Sequence, residues 1–271
     1  MAYAGGDCIY AIRGLNTQDF WRYDISSNAW VAMANTPGIN RGHITWAGGD
    51  FIFATTGYDP TGFWRYSILS NTWTVVASTP AGGDTYGLAW GGGDYVYLLR
   101  GSQYTDFWRY SVSTNSWTAM ASFSAAEMGC SLVWSGGDYL YAFPDNARRD
   151  FWRYRISTNY WQRMTDAPAS IGPGRLLAWD GDDKIYAAQG HYGSGFWAYI
   201  ISRNVWQPLT SSPSPIEDGG AIVCVRGHVY ATEGGGTTNF RRFDPPYKVV
   251  YQSGTGASSE IYVINSDGTA A

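Results

Sequence analysis

The chain has 271 residues, of which 45% are hydrophobic and 17% aromatic, and its formal net charge is −4 at pH 7. This composition provides a large apolar core and excludes the basic surface that nucleic-acid binding requires. No apolar run is long enough for a transmembrane helix, and no signal peptide is predicted because the repeat described below begins at Met1.

One aromatic segment recurs along the chain, first as DFWRYDISSNAW at residues 19–30. Its Phe returns at spacings of 43 to 45 residues, at Phe20, Phe63, Phe107, Phe151, Phe196 and Phe240. A period in the forties is typical of propeller blades or of helical repeats. The short β-rich runs, cut by Gly, Asn and Pro, show no 3.6-residue apolar period and therefore exclude helical repeats.

Four strands are predicted in each unit. The first ends in Trp before a glycine turn, as in HITWAGGD at residues 43–50, where a two-residue hairpin needs positive φ. The third is the Phe-Trp-Arg-Tyr strand, and a turn with a left-handed Asn leads to the fourth, which begins at the next Trp. The second strands are predicted at Cys8–Ile12, Phe51–Thr55, Tyr95–Leu99, Tyr139–Phe143, Lys184–Ala188 and His228–Thr232.

The repeated aromatic and arginine columns are interpreted as packing residues. All 14 tryptophans fall in three repeated columns, so none is left for a special site. Blades are covered on both faces by their neighbours, which explains strands that are apolar on both sides. The arginine column is expected to lie between blades and to donate to backbone carbonyls or nearby Asp residues. Its members are Arg22, Arg65, Arg109 and Arg153, with Ala198 and Arg241 as variants.

In five copies a Tyr stands seven residues before a Trp, as in Tyr23 and Trp30. This spacing resembles the kelch repeat of galactose-oxidase-type β-propellers, although the kelch glycine doublet survives only at Gly234-Gly235. The resemblance covers nearly the whole chain. It implies an all-β fold, a six-bladed β-propeller with four-stranded antiparallel blades.

One domain is predicted over residues 1–271. The blades are expected at about 1–36 plus 258–268, 37–80, 81–122, 123–168, 169–213 and 214–254. The first unit lacks a full first strand, so Glu260–Ile264 is predicted to pair with Cys8–Ile12 and close the ring. The alternative is that Met1–Ala4 forms the inner strand and the C-terminus is a frayed tail.

The three cysteines, Cys8, Cys130 and Cys224, lie in apolar strand-like runs. Their spacing fits neither a metal site nor a disulfide framework, and they are predicted to be free buried thiols. No cofactor and no metal site are predicted.

Function is expected where the copies differ, in the loops joining strands two and three and those joining one blade to the next. Exposed Tyr, Arg and acidic side chains there suit protein contact or sugar stacking. The predicted partner-binding residues are Arg41, Tyr58, Tyr86, Tyr104, Arg148, Arg149, His191, Tyr192, Glu217 and Asp218. The competing interpretation is that these are ordinary polar turns.

Two enzyme families share the repeat that this chain resembles. Galactose-oxidase-like enzymes need copper with Tyr and His ligands, and the three histidines here, His43, His191 and His228, fall on different blades. Sialic-acid mutarotases are six-bladed kelch proteins with acid/base residues in a central pocket. Glu127, Glu217 or Glu233 with a nearby Arg are the candidates for that role.

The sequence therefore predicts a non-catalytic recognition or assembly module that binds a protein or glycan through its loop face. The alternatives are a sialic-acid-type mutarotase or epimerase and a purely structural subunit. The Lys-poor, Ser/Thr/Asn-rich surface indicates an extracellular, cell-surface or virion-surface location, as a subunit of a larger assembly, without membrane spans or nucleic-acid partners.

Overall fold

The computed structural model is an all-β ring of six blades, as predicted. It describes residues 1–13, 17–39, 42–57, 61–82, 86–101, 104–123, 131–143, 148–172, 176–190, 193–212, 214–245, 248–253 and 260–265, the last two segments and residue 86 by main chain alone.

Five blades are four-stranded antiparallel sheets whose strands follow chain order from the ring axis outwards. Blade one contains β1 (Ala2–Tyr3), β2 (Cys8–Ile12), β3 (Phe20–Asp24) and β4 (Ala29–Ala32). Blade two contains β5 (Ile44–Trp46), β6 (Phe51–Thr55), β7 (Phe63–Ser67) and β8 (Thr72–Val75). Blade three contains β9 (Tyr86–Trp90), β10 (Tyr95–Arg100), β11 (Phe107–Ser111) and β12 (Ser116–Ala119).

The remaining blades continue the series. Blade four contains β13 (Ser131–Trp134), β14 (Tyr139–Phe143), β15 (Trp152–Arg155) and β16 (Tyr160–Arg163). Blade five contains β17 (Leu177–Trp179), β18 (Lys184–Gly190), β19 (Gly193–Ile200) and β20 (Val205–Pro208), with a 3₁₀ turn at Ile201–Arg203. Blade six contains β21 (Ala221–Val225), β22 (His228–Thr232) and β23 (Phe240–Phe243), and a separate hairpin joins β24 (Lys248–Ser253) to β25 (Glu260–Asn265).

The predicted closure of the ring by the C-terminal strand is wrong. β1 occupies the inner position of blade one, with Ala2 opposite Tyr10 and Tyr3 opposite Ile9. The C-terminal strand β25 pairs with β24 instead, from Glu260 opposite Ser253 onwards. The ring closes because β1 also contacts β21 of blade six, as each inner strand contacts the next. The N-terminal alternative is therefore the correct one for blade one.

The core lies between neighbouring blades. Phe20 of blade one packs against Tyr66 and Trp73 of blade two, with ring centroids 4.8 and 5.1 Å apart. The same three-ring contact recurs at the following junctions, so the aromatic columns are packing residues, as predicted. Burying each such ring contributes roughly 1.5–3 kcal/mol.

A hydrogen-bonded clamp joins each of blades two to five to the blade before it. Asn115 Oδ1 accepts hydrogen bonds from the Tyr110 hydroxyl and from the main-chain N–H of Ala77 in the preceding blade, both at 2.8 Å. The Trp117 indole N–H donates to the carbonyl of Ala77 at 2.9 Å. The clamp recurs with Asn71 and Trp73 on Ala34, Asn159 and Trp161 on Ala121, and Asn204 and Trp206 on Thr165. The left-handed conformation predicted for the Asn column is confirmed, with φ of 50° at Asn115.

The expected contacts of the arginine column are partly wrong. The guanidinium groups of Arg65, Arg109 and Arg153 lie over the aromatic rings that begin the second strands, 4.2–4.5 Å from the ring centroids. Cation–π contact with the flat ring takes the place of the predicted bond to Asp. The Asp residues of the first turns instead accept hydrogen bonds from the turns between strands three and four, as Asp94 does from Ser111 and Ser113.

Candidate functional site

Two sets of loops lie side by side on one face of the ring, which we call the loop face. They are the loops between the second and third strands and the connections from the fourth strand to the next blade. In each of the first five blades a main-chain N–H of the second set donates to a carbonyl of the first. These bonds run from Thr36 to Gln18, Thr79 to Thr61, Phe123 to Thr105, Ala167 to Arg149 and Ser212 to Ser194.

The loops between the second and third strands have a common closed base. A residue in the last two positions of the second strand, or directly after it, contacts through its side chain the residue six positions later. The pairs are Arg13 with Asp19, Thr56 with Gly62, Arg100 with Asp106, Gln189 with Gly195 and Glu233 with Asn239. The residue types that form this contact differ in most of these blades, but the six-residue separation between the partners is the same.

Sequence reasoning missed these closing residues because their chemistry varies. The signal that would have found them is positional, since each stands seven residues before the repeated Phe.

Tyr104, a predicted binding residue, stands on the loop of blade three and is 46% exposed. The Arg100 guanidinium lies 3.3 Å from the centroid of its ring and donates to Asp106 at 2.8 Å. The arginine therefore fixes the phenol ring on one side and closes the loop on the other. This arrangement leaves an oriented aromatic ring on the surface of the loop face.

Arg148 and Arg149 of blade four are both exposed, as predicted, but their roles differ. Arg149 Nε donates to the carbonyl of Ala167 at 2.6 Å, so this side chain fastens the neighbouring connection. Arg148 pairs through its main chain with Ile171, and its guanidinium lies 3.7 Å from Asp150. The two neighbouring arginines therefore make different contacts.

Glu217 and Asp218 lie in the connection that leads into blade six. The main-chain N–H of Glu217 donates to the carbonyl of Glu233 at 2.6 Å, and the carbonyl of Asp218 accepts from Gly235 at 3.0 Å. Asp218 is exposed, and Glu217 is half-buried. The main chain of both residues is therefore fastened beside the loop of blade six, and their role in binding stays a prediction.

The carboxylate of Glu233 is buried and fully engaged. It accepts hydrogen bonds from Ser214, Asn239 and Arg241. These bonds, led by that from Ser214, lower the pKa of Glu233 to about 2. A carboxyl group held ionised in this way is unsuited to donate a proton near neutral pH, so this geometry argues against Glu233 as a general acid.

Several predicted binding residues are not placed by the structure. Arg41, Tyr58, His191 and Tyr192 lie outside the described residues, and so do Glu127 and Cys130. Tyr86 begins β9 and is described by its main chain alone. These assignments stay predictions.

A central cavity of about 200 Å³ runs along the ring axis between the inner strands. At one end Trp46, Trp90, Trp134 and Trp179 form an arc, with neighbouring rings 5.2–6.3 Å apart. Tyr3 and Cys224 stand at the corresponding positions of blades one and six. Among the described residues that line the cavity there is no Asp, Glu or His, so its surface is largely apolar.

Burial raises the pKa of the Cys224 thiol to about 12 and also raises that of Cys8. Both are free thiols, as predicted, and neither forms a thiolate readily. The part of the chain that the structure describes holds no group of three or more His, Cys, Asp or Glu side chains able to bind a metal ion. It also holds no helix long and apolar enough to span a membrane.

No family model and no curated protein sequence matches the chain. A propeller from the crystal structure of a nidogen/laminin complex matches with a TM-score of 0.69 and 13% identity, over 88% of each chain. The structure of YjhT matches with a TM-score of 0.70 and 10% identity, over 96% of each chain. At these identities the likeness shows the fold alone, and the kelch resemblance stays a resemblance.

The prediction that the chain is not an enzyme is wrong as stated. The match to YjhT, at 10% identity, shows the fold alone, and the fold gives no ground for excluding catalysis. What the structure and the comparisons establish is a six-bladed β-propeller.

Proposed function

We propose that this chain is a recognition module that binds a protein partner through its loop face. The observation that carries the proposal is the common base of the loops, which is closed by a side chain six residues before its partner in five blades. The closed bases hold the described ends of these loops in place, and a pre-formed binding surface loses less entropy on association.

The side chains on this face support a protein partner. Tyr104 offers an oriented aromatic ring, and Arg148 offers a guanidinium that is 47% exposed. Tyr and Arg are enriched at the energetic centres of protein interfaces. The propeller solved in a nidogen/laminin complex has the same fold, which is compatible with protein binding. An extracellular or virion-surface location belongs to the same proposal and is supported by composition alone.

The experiment compares two double variants of the intact chain. The loop-face variant carries Tyr104→Ala and Arg148→Glu. The control carries Leu69→Ala and Tyr160→Ala, two side chains that are 88% and 65% exposed away from the loop face. A protein captured from the surface fraction of the source organism is purified, and its Kd is measured against all three chains.

We expect the loop-face variant to weaken binding at least about tenfold, which corresponds to about 1.4 kcal/mol, because Tyr and Arg side chains often dominate binding energy. The control should leave the Kd unchanged. Equal weakening by both variants, or weakening by the control alone, contradicts the proposal. A glycan array probed with the same three chains decides the class of partner. Glycan binding that only the loop-face variant loses would keep the face and replace the protein partner by a glycan.

A sialic-acid-type mutarotase is the second candidate, which the kelch resemblance implies and with which the fold match to YjhT is compatible. Three hydrogen bonds hold the carboxylate of Glu233, and Glu127 lies outside the described residues. Of the acid/base candidates, Glu217 is therefore the one to test. Anomeric exchange of N-acetylneuraminic acid, followed by NMR with the chain and with Glu217→Gln, tests this candidate. Acceleration by the chain that the variant loses would support it, and an unchanged exchange rate would contradict it.

A further inference from the structure

Among the described strands, none completes the junction between blades six and one as the fourth strands complete the other junctions. In the described residues β23 pairs with β22 on one side and with no strand on the other. The strand that follows it in the chain, β24, pairs with β25 over its whole length. Blade six therefore presents an open sheet edge, which is a template for another strand.

The surface beside this edge keeps the features that hold a fourth strand elsewhere. Phe240 packs against Tyr23 and Trp30 of blade one with ring centroids 4.7 and 4.9 Å apart, as the equivalent rings do at other junctions. A cleft of about 300 Å³ lies there, lined by Tyr23, Ile25, Asn28, Tyr230, Phe240 and Arg242. Trp30 is 37% exposed.

Blade one also carries the clamp that grips a preceding fourth strand. Asn28 has the left-handed φ of 53° and accepts from the Tyr23 hydroxyl at 2.6 Å, like the other members of its column. In four other blades the same Asn and Trp also bond the main chain of the residue two positions after the end of the preceding fourth strand. By analogy, Asn28 Oδ1 can accept from a main-chain N–H of an extended strand, and the Trp30 indole N–H can donate to the C=O of the same residue.

The strand suited to this position is β24. Counted from the Phe of the third strand, Lys248–Ser253 covers the positions that the fourth strands occupy in the other blades. Its sequence, KVVYQS, is rich in the β-branched and aromatic residues that favour strands. A two-stranded hairpin such as β24–β25 is only marginally stable without a further sheet or surface.

The connection explains why β24 does not return to its own blade. Four residues separate β23 from β24, and four separate β3 from β4, so the loop has no extra length. In blade one the N–H of Ile25 donates to the carbonyl of Asp7, and the same bond recurs in the next four blades. Blade six has Pro245 at this position, which carries no N–H, and Lys248 at the position of the left-handed Asn.

We propose that β24 of a second copy of this chain completes blade six, and that two copies exchange these strands reciprocally. The free edge of β24 pairs with β23, while Asn28 and Trp30 grip the main chain beyond it. A strand from a second copy needs no tight turn after β23, so Pro245 does not oppose it. Exchange of identical elements through a short, constrained hinge is a known route to dimers.

Cysteine crosslinking tests the exchange in the full chain. By the register of blade one, where Trp21 faces Ala32, residue 241 faces residue 252. The native cysteines are replaced by Cys8→Ser, Cys130→Ser and Cys224→Ala. Arg241→Cys and Gln252→Cys are introduced into separate chains, which are unfolded, mixed, refolded and oxidised. Arg203→Cys mixed with Gln252→Cys is the matched control, since Arg203 is exposed on blade five.

We expect a disulfide-linked dimer of Arg241→Cys with Gln252→Cys, sensitive to reduction, and none in the control mixture. A chain carrying both cysteines distinguishes the alternatives. A disulfide within one chain would show that β24 returns to its own blade, and its formation would overturn the proposal.

The mass of the unmodified chain in solution provides a second measurement that requires no variant. We expect twice the mass of one chain, falling to one chain when residues 248–271 are deleted. A single-chain mass for the intact protein at all concentrations would overturn the proposal. A foreign strand that binds the same edge while the chain stays monomeric would overturn it as well.

Discussion

In blades two to five the repeated asparagine does three things that few other residues combine. At Asn115 it adopts positive φ, accepts from Tyr110 of its own blade, and accepts from the main chain of Ala77 in the blade before. The sequence predicts the first of these, because Asn tolerates the left-handed region. The second and third depend on contacts between sequence positions that only the ring brings together.

Replacing Asn115 by Ala should destabilise the chain by about 2–4 kcal/mol. Two hydrogen bonds are lost, one main-chain N–H is left without a partner, and Ala is strained at positive φ. Unfolding in urea measures the loss. Asn115→Asp is the control, since it keeps an acceptor and tolerates the conformation, and it should lose much less. Equal losses in the two variants would mean that the clamp contributes little.

Glu233 should make the chain sensitive to acid. The pKa of its carboxyl group is lowered from 4.5 to about 2 in the folded state, so the ionised group stabilises the fold at pH values above the pKa of the unfolded chain. That contribution is lost as the pH falls from about 4.5 towards 2, because the unfolded chain then binds the proton more readily. The Glu233→Gln variant should be less stable at neutral pH and should lose less stability over this interval. Thermal unfolding at several pH values measures both slopes, and parallel slopes would refute the assignment.

At the level of elements, the glycine turn between the first two strands does more than reverse the chain. Gly136 has φ of 77°, and a Cβ there would lie 2.8 Å from the Trp179 ring of the next blade. Gly137 has φ of 54° and would meet nothing within 4 Å. The first glycine is therefore required both for the conformation and for the approach of the next blade, and the second for conformation alone.

This difference gives a matched pair of variants. Gly137→Ala should cost about 1–2 kcal/mol for the left-handed conformation. Gly136→Ala should cost roughly 1–3 kcal/mol more, because the added methyl displaces a packed indole. Chemical denaturation of both variants measures the difference. If the two variants are equally stable, the indole moves without loss and the packing contact is unimportant.

The second strands are the elements that sequence predicted best. Four of the six predicted ranges match the structure at both ends: Cys8–Ile12, Phe51–Thr55, Tyr139–Phe143 and His228–Thr232. Each second strand begins after a glycine turn and ends at a variable loop, and both signals are visible in the sequence. The loop-closing side chains were not predicted. Arg100, Gln189 and Glu233 share a position and no chemistry, so residue type gives no signal there.

For the whole molecule, repetition in the sequence was enough to predict six blades but not how the ring closes. Glu260–Asn265 is a longer strand than Ala2–Tyr3 and holds four apolar residues against two, so propensity favoured the wrong end of the chain. The outcome depends on contacts remote in sequence. Met1 and Ala2 are 9% and 6% exposed, and Arg226 of blade six donates to the carbonyl of Gly6 and pairs with Asp7. Local patterns do not encode such contacts.

The ring should therefore depend on its N-terminus more than on its C-terminus. Deleting residues 1–4 removes the strand opposite Tyr10 and exposes the surface that Met1 buries, at a cost of at least about 2 kcal/mol. For a chain of this size such a loss lowers the Tm by roughly 4–8 °C. Deleting residues 260–271 removes a strand that pairs only with β24 among the described residues, and the ring should keep its Tm more closely. Calorimetry at low protein concentration, where association contributes least, compares the two deletions. A larger fall in Tm for the C-terminal deletion would support closure of the ring by the C-terminal strand, as the sequence suggested. Only a strand that is part of the ring can affect the unfolding of the blades in this way.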